Sequence, residues 1–279
     1  MNPELIERLT ENLHQAVGFI YPNEAEIHWS ILIAVYPYLT GLVAGAFILA
    51  SLVKVFNVKE VYPTYRLALL TAFSFLIIAP IPLLFHLGRP ERFYEMLLTP
   101  NPRSAMAMFG FVYAWYLMAV LVVEIWFEFR KDMVIKAQTS GFPWSWFWKA
   151  ITLFSNDIRE SSLAYDKKIV RVITIIGIPS AFLLHGYVGF LFGSIKANPW
   201  WSSVLMPIVF LFSAIVSGIA LLIVIYMIAT PFRKKQIDMN CLDTMASYLF
   251  YVVIIDFSLE GLDFIHRLYE SEESIEILS

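Results

Sequence analysis

The chain has 279 residues, 59% of them hydrophobic and only 15% charged, with a mean hydropathy of +0.67 and a formal net charge of -3. That balance is far from the average of soluble globular domains and excludes that class. The single cysteine, Cys241, excludes an internal disulfide and any iron–sulfur cluster ligated wholly within the chain.

Asn2 to Phe19 is polar, with Leu5, Ile6, Leu9, Leu13 and Val17 at helical spacing. That pattern predicts a short amphipathic helix on a membrane surface rather than a cleavable signal peptide, so residues 1–27 are read as an N-terminal surface segment. Six apolar stretches follow, each near the roughly 20 residues that cross a bilayer as helix. They are about Ile31–Val53, Leu67–Leu87, Ser104–Phe127, Val172–Ile195, Ser202–Thr230 and Thr244–Leu262. Barrel strands would be about 10 residues long and alternating, so the expected fold is all-α, a polytopic membrane helix bundle.

The loops after the odd-numbered stretches hold fourteen basic residues, from Lys54, Lys59 and Arg66 through Arg130 to Arg171 and on to Arg233, Lys234 and Lys235. The other side holds six: Arg8, Arg89, Arg92, Arg103, Lys196 and Arg267. The bias places the N-terminus outside the cell membrane (the inner membrane of a bacterium) and the long loop, 128–168, in the cytoplasm. In that loop Trp144-Ser145-Trp146-Phe147-Trp148-Lys149 suits an interfacial aromatic belt.

A weak repeat links the first and fifth stretches. Trp29-Ser30 precedes Leu39-Thr40-Gly41-Leu42-Val43-Ala44-Gly45, and Trp201-Ser202 precedes Phe212-Ser213-Ala214-Ile215-Val216-Ser217-Gly218. Small residues four apart let helix backbones approach closely, although such patterns recur in any packed bundle. Taken as a repeat, it implies tandem four-helix bundles, the first over residues 28–200 and the second beginning at 201–279. Two helices of the second bundle are then present, so either a partner completes it or the sequence is incomplete at Ser279.

Polar groups inside or closing such stretches are expensive unless they face a protein interior, a cavity or a partner. His86-Leu87-Gly88-Arg89-Pro90-Glu91-Arg92-Phe93 closes the second stretch, and a plain interfacial turn with snorkelling arginines is the competing reading. Asp256, thirteen residues beyond Asp243, lies about 20 Å along its helix, and His185 about 21 Å beyond Arg171. Asp256, Glu260, Asp263 and Arg267 share one helical face. An ion pair with Arg267 accounts for Asp263; Asp256, with Glu260 next to it, is read as a proton-handling group on a short outward path. Glu124 sits at an inner helix end, where snorkelling explains it.

The chain resembles the polysulfide reductase and NrfD integral membrane subunits over about residues 26 to 230. The resemblance rests on Trp29 with Gly41 and Gly45, on His86-Leu87-Gly88-Arg89-Pro90 followed by Ser104-Ala105-Met106, and on His185-Gly186-Tyr187-Val188-Gly189-Phe190 with Gly193, Lys196-Ala197 and Pro199-Trp200-Trp201. It implies a haem-free subunit of an anaerobic respiratory oxidoreductase complex. Such a subunit exchanges electrons between the quinone pool and an outer iron–sulfur, ferredoxin-like subunit serving a molybdopterin enzyme or multihaem cytochrome. Family members usually have eight helices or more, so six depart from the pattern. The resemblance also places the family's quinone-contacting tyrosine on Tyr187.

A quinone (menaquinone or ubiquinone type) needs a donor for its oxygens, a proton-exchanging group and an apolar slot. His86 can donate or accept near neutral pH, and His185 and Tyr36 are further candidates for the pocket wall. For His185, a structural bond to the backbone fits as well as direct contact. Arg89, Arg92, Arg103 and Lys196 suit docking of an acidic partner surface, and headgroup anchoring explains them equally. No metal site is expected. A b-type cytochrome anchor and a secondary transporter are the rival classes; against the first, no helix carries the two histidines that stacked haems require.

Overall fold

The structure is a computed structural model that describes residues 29–87, 89–99, 101–196, 198 and 200–270. The surface segment expected over 1–27 lies outside the described residues, as does His28. Among the described residues there are seven principal helices: α1 (Ile31–Lys54), α2 (Tyr62–His86), α3 (Ala105–Thr139), α4 (Trp144–Ile151), α5 (Glu160–Gly193), α6 (Met206–Phe232) and α7 (Met239–Glu270). No strand occurs among the described residues; the backbone polar groups of the apolar layer are satisfied within helices.

Five of these helices, α1, α2, α3, α5 and α6, are long and apolar enough to cross a membrane. The sixth expected span lies inside α7, a continuous 32-residue helix that is not among those five and that carries Asp256 and Glu260 in its apolar run. Helix also extends well past two hydropathy boundaries. α3 continues from Phe127 to Thr139, and α5 begins at Glu160, twelve residues before the apolar stretch at Val172. These polar extensions form a hairpin clamped by a buried pair, Arg130 Nη2 to Asp166 Oδ2 at 2.6 Å. Arg130 also donates to the Asp157 carbonyl and to Ser162 Oγ, each at 2.7 Å. The expected loop 128–168 is therefore largely helical. Its tryptophan run forms α4, which has no buried residue and leaves Trp144 and Trp146 exposed, as an interfacial helix would.

α1 is the central element. Thr40 to Ala46 are buried without interruption, and α2, α5 and α6 pack around them. Small side chains account for that centrality, because α6 meets α1 at Gly45 and Gly218 with backbones in contact. Phe47 fills the space below, edge-on to Tyr116 at 5.6 Å. Within α3, Trp115 to Val122 adopts wider π-helical turns. α7 packs on α6 and leaves much of its apolar surface outward, including Phe250, Phe257 and Leu262.

Candidate functional site

The helices alternate in direction, so the start of α1 and the ends of α2, α5 and α7 share one end of the bundle. At that end a cleft of about 790 Å³ opens between α1, α5, α6 and α7. Phe192, Trp201, Phe210 and Phe257 wall it, and its polar groups include His185, Ser203, Glu260 and Asp263.

His185 is buried, with its ring 5.8 Å from that of Phe210. Its Nδ1 lies 3.5 Å from Thr40 Oγ1, at the outer limit of a hydrogen bond. Thr40 donates its own proton to the Pro37 carbonyl at 3.0 Å, so the threonine oxygen is available to accept from the imidazole. Glycine at position 41 gives the ring its room: a Cβ there would crowd His185 Cε1 at 3.1 Å and Nε2 at 3.3 Å.

α7 supplies the opposite wall. Asp256 is buried, and its Oδ1 has no hydrogen-bond partner among the described residues. One turn later Glu260 reaches the cleft. Asp263 is tied off: Arg267 Nε donates to it at 2.8 Å and Ser203 Oγ at 2.6 Å. Arg267 is buried and also lies over the Trp200 ring, 5.6 Å from its centroid. The ladder expected on this face thus divides into a closed Asp263–Arg267 pair and a carboxylate pair, Asp256 and Glu260, beside the cleft.

The other quinone candidates gather elsewhere. Tyr187 stands two residues, about 200° of helical turn, from His185 and faces away from the cleft. Its Oη donates to the Ala105 carbonyl at 2.8 Å, and its ring stacks on Phe109 with centroids 5.9 Å apart. Phe109 in turn meets Tyr36 edge-on at 5.6 Å. Tyr36 is buried, with an Oη that lacks a partner among the described residues. His86 ends α2 at the rim, with Nδ1 3.1 Å from Ser30 Oγ. The four residues therefore fall in three places: His185 on the cleft, Tyr36 with Tyr187 behind it, and His86 at the rim.

Of the expected docking cations, Arg89, Arg92, Arg103 and Lys196 are all exposed. Arg92 is held by Glu95 through two bonds of 2.7 Å, which raises the guanidinium and lowers the carboxyl from their ordinary ranges.

Glu124, at the opposite end, corrects the sequence reading. It does not snorkel: its side chain is fully buried between α2, α3 and α5. Thr174 Oγ1 and Tyr65 Oη donate to its Oε1 at 2.9 and 3.2 Å. Hydropathy missed this because the polar extensions of α3 and α5 cover a position that lies near the edge of the apolar run. Phe109 and Ser203 carried no sequence signal of their own; only the packing of α3 and α7 brings them to these groups.

The sequence pattern described as Polysulphide reductase, NrfD, matches residues 21–276. The chain belongs to that family. It is 34% identical over 267 residues to a selenate reductase subunit of Mesobacillus selenatarsenatis, covering 94% of this protein and 61% of the relative. It is 27% identical over 205 residues to a polysulfide reductase polypeptide of Wolinella succinogenes, covering 71% and 57%. Against the Hdr-like menaquinol oxidoreductase integral membrane subunit of Archaeoglobus fulgidus the identity is 23% over 254 residues, covering 89% and 55%. The chain thus spans somewhat over half the length of these relatives. Family and apolar helices together make this member of the NrfD family a multi-pass membrane protein.

Proposed function

We propose that this protein is the quinone-reactive membrane subunit of a respiratory oxidoreductase complex. It exchanges electrons between the quinone pool and an iron–sulfur subunit on the outer face, with a molybdopterin enzyme or multihaem cytochrome beyond, and carries no haem or cluster of its own. The observation that carries this reading is the apolar cleft in which a buried histidine, His185, and a carboxylate, Glu260, line one slot. The names of the relatives support it, one being a menaquinol oxidoreductase subunit.

A quinol supplies two electrons and two protons on oxidation. His185, steadied by Thr40 and Phe210, is suited to hydrogen-bond one ring oxygen and exchange its proton. Glu260 takes a proton at the cleft wall, and Asp256, one turn deeper, extends that route. Trp201, Phe210 and Phe257 offer apolar surface to the ring. Arg89, Arg92, Arg103 and Lys196 present cations to the docked partner, and the charge bias keeps this end outside.

A second reading places the quinone against Tyr187, Phe109 and Tyr36, with His86 at the mouth. The buried, unpartnered Tyr36 Oη favours it, because such a group calls for a ligand or a water. Menaquinol oxidation by the purified complex separates the two. The cleft reading expects His185→Ala and Glu260→Gln to lower turnover by about 10² to 10⁴, the usual span for acid–base groups. Full activity in both variants, with loss in Tyr187→Phe and His86→Ala, would transfer the site to the second group.

A further inference from the structure

At the end of the bundle opposite the cleft, a cavity of about 510 Å³ lies between the start of α2 and the turn joining α6 to α7. Tyr62, Tyr65 and Tyr226 form its aromatic sides, and Arg66, Arg233 and Lys235 bring cations to it. We propose that this cavity binds the phosphate headgroup of an anionic glycerophospholipid.

Most of the charges around the cavity are already neutralised. Arg66 is fully engaged: Nε pairs with Glu128 at 2.9 Å and Nη1 with Asp132 at 2.6 Å. Lys54 shares Glu128 at 2.9 Å, so two cations meet two carboxylates and that network carries no net charge. Asp238, the acid that lines the cavity, turns its Oδ1 to the first amides of α7, accepting from Asn240 at 3.0 Å and Cys241 at 3.3 Å. The partial positive charge of that helix N-terminus offsets part of the Asp238 charge. Arg233 and Lys235 remain, exposed and with no side-chain hydrogen bond or ion pair among the described residues. Between them Lys234 adopts φ 55°, in the left-handed region, and it does not line the cavity while its two neighbours do.

Two unpaired cations beside tyrosine rings, where two membrane helices end, match the chemistry of a lipid phosphate. Its glycerol and acyl portions would lie along Leu67 and Ala229. A zwitterionic headgroup cancels most of the attraction with its own ammonium. A free phosphate has no apolar part to bury.

Native mass spectrometry of the full-length protein in detergent tests this, by titration with phosphatidylglycerol, phosphatidylcholine and inorganic phosphate. The expected result is preferential retention of phosphatidylglycerol. Arg233→Gln combined with Lys235→Gln should weaken it about thirtyfold, from the usual contribution of two interfacial cations. The same variant should bind phosphatidylcholine as before, which also reports that it is folded. Lys167→Gln with Lys168→Gln removes exposed cations outside the cavity and should change nothing. Undiminished phosphatidylglycerol affinity in the first double variant would overturn the proposal. So would displacement of the lipid by millimolar phosphate, which would mark a site for a bare anion.

Discussion

Gly45 and Gly218 touch backbone to backbone: a Cβ built on Gly218 would lie 2.5 Å from Gly45 Cα, and one on Gly45 would lie 2.2 Å from the Ala214 carbonyl oxygen. Neither obstacle is a flexible side-chain end, so a methyl group must push α1 and α6 apart. Gly218→Ala should therefore cost about 1–3 kcal/mol, the usual range for overpacking. Gly261, inside α7, has nothing within 4 Å of its Cβ position. Gly261→Ala should raise stability by up to about 1 kcal/mol through helix propensity. Melting temperatures of the two variants in detergent should move in opposite directions, and a shared direction would discount the close contact.

The repeat that led to these glycines was legible because small residues four apart are a sequence pattern, whereas their target was not. Sequence alone relates the first and fifth stretches by a weak likeness; the fold presses the two stretches against each other. The same limit governed the quinone candidates. His185 and Tyr187 are neighbours in sequence and depth, yet a helix turns about 200° over two residues and sends them to opposite sides. Depth along a span was readable from residue counts, and the bearing around each helix was set only by its neighbours.

Gly41 links the packing to the proposed chemistry. A methyl group there would approach the His185 ring to 3.1 Å, a distance that the imidazole relieves by shifting a few tenths of an ångström. Gly41→Ala should thus lower menaquinol turnover about tenfold, since small misplacements of a reacting group are costly. Its melting temperature should fall less than that of Gly218→Ala. Unchanged kcat and KM in Gly41→Ala would show that the position of His185 does not matter to turnover.

Glu124 offers a stability test independent of quinone chemistry. Its Oε1 accepts from Thr174 and Tyr65, so truncation leaves a buried phenol without its acceptor. Glu124→Ala should destabilise by about 1–3 kcal/mol from the lost bonds, with a cavity penalty added. Glu124→Gln keeps an oxygen at the same place and should recover most of that loss. Chemical or thermal melts of both variants check this, and equal destabilisation would assign the effect to charge instead of hydrogen bonding.

Asp157 gives a pH prediction in the polar hairpin, outside the membrane-spanning part of α5. Arg159 Nη2 and Nε donate to its carboxylate at 2.8 and 3.0 Å, and the Arg159 amide adds a third bond at 3.0 Å. These bonds, the side-chain ones foremost, hold the carboxyl down at about 2. A carboxyl depressed in the folded state stabilises it above the ordinary aspartate pKa of about 3.9, and that contribution fades as pH falls toward 2. The Asp157 carbonyl also accepts from Arg130, so loss of the Asp157–Arg159 clasp should loosen the start of α5 first. Carbon-13 titration of the Asp157 carboxyl should show a midpoint near 2 in the parent. In Arg159→Gln, where only the amide bond persists, the midpoint should rise part of the way to about 3.9. Amide protection at the first turn of α5, referenced to the intrinsic exchange rate at each pH, should fall over the same pH interval in the parent protein. A parent midpoint already at the ordinary aspartate value would mean that the clasp does not form in solution.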